Sequence, residues 1–408
     1  MLHTLEVAAL RVWMRLFGMT TAMLPFRWPR AFEGSDSSLE LVRFMAASRH
    51  RRVLVVTDAV LLKLGVLDRI LAELDTLGVA HVVFDGVEPN PTVAQIEAGY
   101  AVLQAHGCEA ILAVGGGSPI DAAKLIGALA RNRKPVVKFA GLFRAWRGML
   151  PLYAVPTTAG TGSECTIVAV VTDPVQRRKL PAVDLALMPT AAALDASLMT
   201  GLPAHITAAT GMDALTHAVE AFVSRIARHK TDVKALEAAS LILRYLERAV
   251  ADGCDLEARQ QMARASHLAG IAFTQAGVGY VHAIAHQFGA MYHTPHGLAN
   301  AIAMPHVLDV SLSHCSHRLA RMARHCGIGA EGASDHEVAL AFIARIRAMN
   351  ARFGIPTTLA SLRAEDVDAI ADAAIAEARF TYAVPRYLRR SAARELVSRM
   401  LPTPQAAA

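Results

Sequence analysis

The hydrophobic pattern of this 408-residue chain changes character once, near Leu194, and that change limits the fold to an α/β half followed by a helical half. Between residues 31 and 190, short β-rich runs alternate with helical stretches. Val53-Leu54-Val55-Val56-Thr57-Asp58 reads as a buried strand ending in a turn, Val60 to Leu77 as a helix, and Ala80-His81-Val82-Val83-Phe84-Asp85 as a second strand. The turn Glu88-Pro89-Asn90-Pro91-Thr92 feeds a helix from Thr92 to Gly107, and further strands fall at Ala110–Val114 and Leu152–Val155. Strands separated by helices of roughly 10–15 residues imply a parallel sheet. From Ile206 onward helical periodicities take over, at Val233–Val250, Glu257–Gln275, His336–Phe353, Ala364–Ala378 and Ser391–Leu401. The pattern predicts an extension over 1–30, an α/β domain over 31–193 and an all-helical domain over 194–408, with the boundary around Met188 to Pro203.

Strand Ala110–Val114 runs into Gly115-Gly116-Gly117-Ser118-Pro119-Ile120-Asp121, and a helix follows. Glycines at such a turn let the backbone approach a ligand closely, and the helix offers free N–H groups and its positive dipole end. A second, hydroxyl-rich turn follows another strand: Pro156-Thr157-Thr158-Ala159-Gly160-Thr161-Gly162-Ser163-Glu164. Two such turns at the carboxyl edge of one sheet predict a dinucleotide crevice. Asp58, closing the first strand, either caps a helix or accepts the adenosine ribose hydroxyls. In the second role it would favour NAD over NADP. It precedes the glycine turn, so the arrangement is a variant of the usual dinucleotide fold.

The helical half carries Gly211-Met212-Asp213-Ala214-Leu215-Thr216-His217, then Val281-His282-Ala283-Ile284-Ala285-His286, then Pro295-His296-Gly297. Asp213 with His217, and His282 with His286, stand one helical turn apart on a shared face. Carboxylate and imidazole together suit a divalent first-row cation without any thiolate. Ala283 follows His282 where a zinc protease would need its glutamate. His314, Cys315, His317, His325 and Cys326 lie in an arginine-rich stretch of irregular spacing and read as surface helix. His306 reads as structural, and Asp195 as a helix cap.

Composition excludes other classes. With 53% hydrophobic and 19% charged residues the chain is globular, not disordered. The net charge of +6 is spread along the chain, densest at 131–134, 177–179 and 386–390, without the stripe that nucleic acid requires. Cys108, Cys165, Cys254, Cys315 and Cys326 show no CxxC spacing, which points to a reducing cytoplasm. Residues 5–26 are apolar but interrupted by Arg11 and Arg15. They predict an amphipathic helix that packs on the domain or a dimer partner, or touches a membrane surface weakly. The tail Pro402–Ala408 reads as frayed.

GGGSPIDAAK, PTTAGTGSE, GMDALTHAVE and VHAIAHQFGAMYHTPHGLANAI together resemble the iron-containing (group III) alcohol dehydrogenases over residues 31–400. The resemblance implies a dinucleotide-binding α/β domain, an all-helical metal domain of dehydroquinate synthase-like architecture, and an active site in the cleft between them. It implies Asp213, His217, His282 and His296 as ligands of Fe(II), or alternatively Zn(II), with His286 near the nicotinamide as a non-ligand. It further implies cofactor contacts at Gly116, Gly117, Ser118, Asp121, Thr157, Thr158 and Thr161. Asn90 and Asp58 would lie toward the adenosine and Lys179 near the ribose. Gln287 departs from a proline common in the family. The expected activity is hydride transfer between a small primary alcohol or aldehyde and NAD(H), in a homodimer or larger homo-oligomer. The alternative is a hydroxyacid–oxoacid transhydrogenase with retained nicotinamide. A lyase of the dehydroquinate-synthase type would need a basic cluster beside the ligand motifs, and a membrane-tethered scaffold would not need the ligands at all.

Overall fold

The computed structural model describes residues 2–173 and 178–402. Arg177 of the basic cluster, and the tail beyond residue 402, lie outside the described residues. The chain forms two compact units, an α/β unit of residues 25–203 with 252–267, and a helical unit of residues 1–24, 204–251 and 268–408.

In the α/β unit the strands are β1 (Arg30–Glu33), β2 (Arg52–Val56), β3 (Ala80–Phe84), β4 (Ala110–Gly115), β5 (Gly141–Leu142), β6 (Leu152–Pro156), β7 (Val168–Asp173), β8 (Arg178–Val183) and β9 (Ala191–Leu194). Six of them form a parallel sheet in the order β1-β9-β6-β4-β2-β3. β2 and β4 are apolar on both faces because helices cover both. On one face Leu54, Val56, Ile111 and Ala113 pack on Ile96 and Leu103 of α5 (Val93–His106) and Ile120 and Ile126 of α6 (Gly117–Asn132). On the other, Val53, Val55, Leu112 and Val114 meet Leu41 and Met45 of α2 (Ser37–Ala47) and Ile70 and Leu74 of α4 (Asp68–Thr76). Each Val, Leu, Ile or Met side chain among them contributes roughly 1.5–3 kcal/mol when fully buried.

Two expectations needed correction. The helix read over Val60–Leu77 is two helices, α3 (Ala59–Lys63) and α4, because Gly65 at φ +71 turns the chain between them. The sheet is not the only one: β7 and β8 pair antiparallel and β5 joins β8, a second sheet that the βα alternation did not announce.

The helical unit comprises α1 (Leu2–Ala22), α7 (Ala204–Val223), α8 (His229–Ala251), the end of α9 (Leu256–Ala276), α10 (Tyr280–Tyr292), α11 (His296–His325), α12 (Asp335–Arg352), α13 (Val367–Thr381) and α14 (Arg390–Ser398). Every residue of α7 from Gly211 to Val223 is buried, which marks it as the central helix. α1 joins this unit through Leu10 and Met14. Gly18 lies so close to Ile226 that a Cβ would sit 2.6 Å from its Cγ2, and Arg228 donates to the Gly18 carbonyl at 2.8 Å. Among the described residues no single helix is long and apolar enough to cross a membrane.

Lys124, fully buried on α6, ties the second turn to the sheet. Its ammonium donates to Thr166 O and Oγ1, both at 2.9 Å, and to Val168 O at 2.7 Å. Burial pushes its pKa down to about 8, against the pull of Asp121. The unfolded lysine keeps its proton to about 10.5, so between these values the unfolded state binds more protons and stability rises with pH. Lys124→Met should cost about 2–4 kcal/mol, from acceptors left unpaired. In urea titrations at pH 8 and 9.5, the wild type should gain on that variant at the higher pH.

Candidate metal and nucleotide sites

The three ligand motifs meet inside the helical unit. One ligand atom each from Asp213 on α7, His282 on α10 and His296 on α11 lies within 4.8 Å of the others. His282 Nε2 and His296 Nε2 stand 3.8 and 3.6 Å from Asp213 Oδ1. His217, one turn beyond Asp213, stacks its ring on His282 (centroids 4.6 Å, 24°) and on Phe273 (4.2 Å, 17°). It therefore flanks the group without being one of the three converging atoms.

At the convergence sits an amide. Asn300 Nδ2 lies 2.6 Å from Asp213 Oδ1 and 3.3 and 3.2 Å from the Nε2 atoms of His282 and His296, while the buried Asn300 Oδ1 has no hydrogen-bond partner among the described residues. Three acceptors aimed at one weak donor is the polarity that a cation satisfies more fully. Asn300 is a residue the sequence reading missed, although it stands one turn after His296.

Glu220, buried on α7, was also missed. It accepts from the backbone N–H of Gly279 (2.7 Å) and Val281 (2.8 Å) and from His282 Nδ1 (2.6 Å). One carboxylate thus caps the start of α10 and turns His282 Nε2 toward Asp213. Burial raises the Glu220 pKa to about 7, opposed by the backbone N–H groups of Gly279, Val281 and His282, and burial lowers that of His282 to about 3, so its imidazole is neutral. His286 stacks on His296 (5.4 Å, 14°), and its Nδ1 lies 2.7 Å from Glu377 on α13.

In the α/β unit the chain order reverses between β2 and β4, and ligands of open α/β sheets bind at such a reversal, outside the carboxyl ends of the strands. The glycine turn follows β4, and the hydroxyl-rich turn follows its neighbour β6, with Gly115 registered against Pro156. A Cβ on Gly117 would sit 2.8 Å from Thr161 Cγ2, so the second turn packs where only glycine fits. Thr158 lies against Gly116, and the Thr157 N–H donates to Gly115 O at 3.0 Å. Among the described residues no side chain caps α6, and the first N–H groups of a helix attract negative charge. Asn90, at φ +59, donates its N–H to Ser118 Oγ at 3.3 Å.

Other expected contacts hold the fold. Asp58 caps α3 by accepting from Leu61 N at 2.9 Å. Asp121 accepts from Ser163 Oγ at 2.5 Å and Val170 N at 2.9 Å, which commits its carboxylate to bracing the second turn. Lys179, half-buried on β8, pulls electrostatically on Asp121. Asp195 caps the turn at Ser197 and accepts from Ser38, and His306 bonds Thr357 O. His314, Cys315, His317 and His325 lie on α11 and Cys326 is its C-cap; Cys315 is buried rather than on the surface, and none is gathered into a ligand group among the described residues.

A second group, Glu164, Cys165 and His267, escaped the sequence reading because 102 positions separate Cys165 from His267. His267 Nδ1 lies 2.9 Å from Glu164, and the Cys165 thiol donates to the carbonyls of Gly162 and His267, both at 3.2 Å. Burial pushes that thiol well above its ordinary pKa, so it stays protonated and braces the turn.

The approach of α11 to α7 depends on Gly297, where a Cβ would sit 2.3 Å from the Ala209 carbonyl oxygen, a backbone atom that cannot swing aside. Gly297→Ala should displace His296 from Asp213. Iron titration of the metal-stripped protein should then show affinity at least about tenfold weaker.

Residues 29–196 match the family description "Iron-containing alcohol dehydrogenase", and residues 207–401 match "Fe-containing alcohol dehydrogenase family, C-terminal". The chain is 38% identical over 355 residues to the NAD-dependent methanol dehydrogenase of Bacillus methanolicus, covering 86% of this chain and 92% of that one. It is 39% identical over 330 residues to the lactaldehyde reductase of Escherichia coli (strain K12), covering 80% and 86%. A crystal structure of 1,3-propanediol oxidoreductase superposes with a TM-score of 0.89 at 38% identity, covering 93% of this chain and 100% of that one. The chain belongs to the iron-containing alcohol dehydrogenase family.

Proposed function

We propose that the protein is an NAD-dependent, iron-containing alcohol dehydrogenase that interconverts a small primary alcohol and its aldehyde. The observation that carries this reading is the convergence of Asp213, His282 and His296 beside the His286 ring. The relatives named for methanol and lactaldehyde support the substrate class. The donors are oxygen and nitrogen with a neutral imidazole at His282, which suits Fe(II) and would also accept Zn(II).

When bound, the metal polarises the alcohol or aldehyde oxygen as a Lewis acid and the nicotinamide takes or gives the hydride. The chain supplies the rest. Asp213, His282 and His296 would hold the cation, joined by His217, the fourth ligand the family resemblance implies, which stacks on the His282 ring; Glu220 fixes that ring. His286 accepts the alcohol proton in oxidation and returns it in reduction. Gly116, Gly117 and Ser118, at the uncapped start of α6, receive the pyrophosphate. Asp58 meets the adenosine ribose and disfavours a 2′-phosphate. Asn90, Asp121, Thr157, Thr158, Thr161 and Lys179 shape the remaining nucleotide contacts. His282→Ala and Asp213→Ala should each lose iron and turnover together. His286→Ala should keep iron and lose about a hundredfold or more in kcat. Full iron content and full rate in His282→Ala would refute the ligand assignment.

We infer that the outer face of α1 meets an anionic lipid surface. Val12, Trp13, Leu16 and Met19 are 50–61% exposed there, on a helix outside the residues the family descriptions match. Arg11, Arg15 and Arg225 crowd at its margin: after burial, the charges of Arg11 and Arg15 depress Arg225. A two-fold pairing of this face, the route to the expected homo-oligomer, would oppose these like charges. An anionic surface would neutralise them. In sedimentation, vesicles containing phosphatidylglycerol should carry the protein down, zwitterionic vesicles should not, and Leu16→Glu should abolish the effect. Failure to bind vesicles, with Leu16→Glu dissociating an oligomer, would assign the face to self-association instead.

A further inference from the structure

Three donors converge on one carboxylate beside the proposed proton carrier. Glu377 Oε1 lies 2.7 Å from His286 Nδ1 and 2.6 Å from the Tyr382 hydroxyl, and Oε2 lies 3.1 Å from Gln287 Nε2. An ionised carboxylate only accepts, and an amide nitrogen only donates. Burial pushes Glu377 up, but the hydrogen bonds it accepts from His286 and Tyr382 work against burial, and the acid lies below its ordinary pKa. Tyr382 is driven well above its own by burial and by Glu377, so it remains a donor. With no proton on Glu377 to give, His286 Nδ1 must carry the hydrogen in this contact. In the neutral ring the lone pair is thereby left on Nε2, while stacking on His296 restrains the ring from the other side.

We propose that Glu377, braced by Tyr382 and Gln287, is the positioning residue of the proton route: it holds His286 with Nε2 open to the alcohol proton and stabilises the imidazolium that forms. This rests on the reading of His286 as proton carrier. In oxidation the alcohol loses H⁻ to NAD⁺ and H⁺ to Nε2. The imidazolium then releases H⁺ to solvent, and Glu377 stays an anion throughout. Gln287, one residue after His286 on α10, ties Oε2 of the same carboxylate through its side-chain amide.

The test is a double-mutant cycle on the iron-loaded enzyme with Glu377→Gln, His286→Ala and the pair. Glu377→Gln should lower kcat about tenfold to a hundredfold, within what general acid–base catalysis supplies. It should leave iron content and the KM for NAD unchanged and enlarge the D2O isotope effect. In the His286→Ala background it should add nothing. Glu377→Asp should recover part of the loss, and Gln287→Leu, which removes one donor and keeps the carboxylate, should cost only a few-fold. In the iron-free protein, a downfield proton resonance that vanishes in His286→Ala should shift upfield in Glu377→Gln. Equal losses from Glu377→Gln in both backgrounds, or no loss in either, would overturn the proposal. Wild-type turnover in His286→Ala would instead defeat the proton-carrier reading first, with the resonance still reporting whether the two side chains are bonded.

Discussion

The helical unit is organised around acceptor atoms that face one another, two of the three out of water. Asp213 and His282 are 2% and 3% exposed, and their lone pairs, with that of His296, point at one place. Left uncompensated, such an arrangement costs several kcal/mol. The Asn300 amide compensates it in part, and a divalent cation would do so fully. The surrounding construction follows from keeping these atoms together. α7 is buried on all sides to present Asp213, and α11 approaches it at a glycine because a methyl group would strike backbone.

A carboxylate orienting an imidazole is used twice on one helix. His282 and His286 stand one turn apart on α10, chemically identical in sequence, and their partners separate them. Glu220 comes from α7, deeply buried and also bonded to the first amides of α10, so His282 is rigid, neutral and turned to Asp213. Glu377 comes from α13 and is bonded by Tyr382, the C-cap of that helix, and by Gln287 of α10 itself, and His286 is 28% exposed. One ring is fixed to hold an ion and the other is left open enough to pass a proton. In the α/β unit, Lys124 and Asp121 play the matching part: they brace the second turn against the glycine helix.

What could be read from the chain followed periodicity and local chemistry. The i,i+4 spacing singled out Asp213 with His217 and His282 with His286 because helical geometry is local, and the βα alternation announced the parallel sheet for the same reason. Asp58 was legible only as two alternatives, and its bond from Leu61 N shows the cap. What stayed hidden was long-range. Glu377 reaches His286 across 91 positions, Glu220 reaches His282 across 62, and Glu164 reaches His267 across 103. No spacing rule connects such pairs. The break at Gly65 and the β7–β8 pairing were missed because a single glycine and a short strand are weak signals beside the stronger helical and parallel patterns.

The central claim is that iron is gripped by one carboxylate and imidazoles in the helical unit. X-ray absorption at the iron edge of the reconstituted protein tests it most directly, because the rival buried group, Glu164, Cys165 and His267, carries a thiol. The account predicts a shell of nitrogen and oxygen with the outer scattering of several imidazole rings, and no sulfur. A sulfur shell near roughly 2.3 Å, a metal–thiolate length typical of first-row ions, or a shell without imidazole scattering, would contradict it.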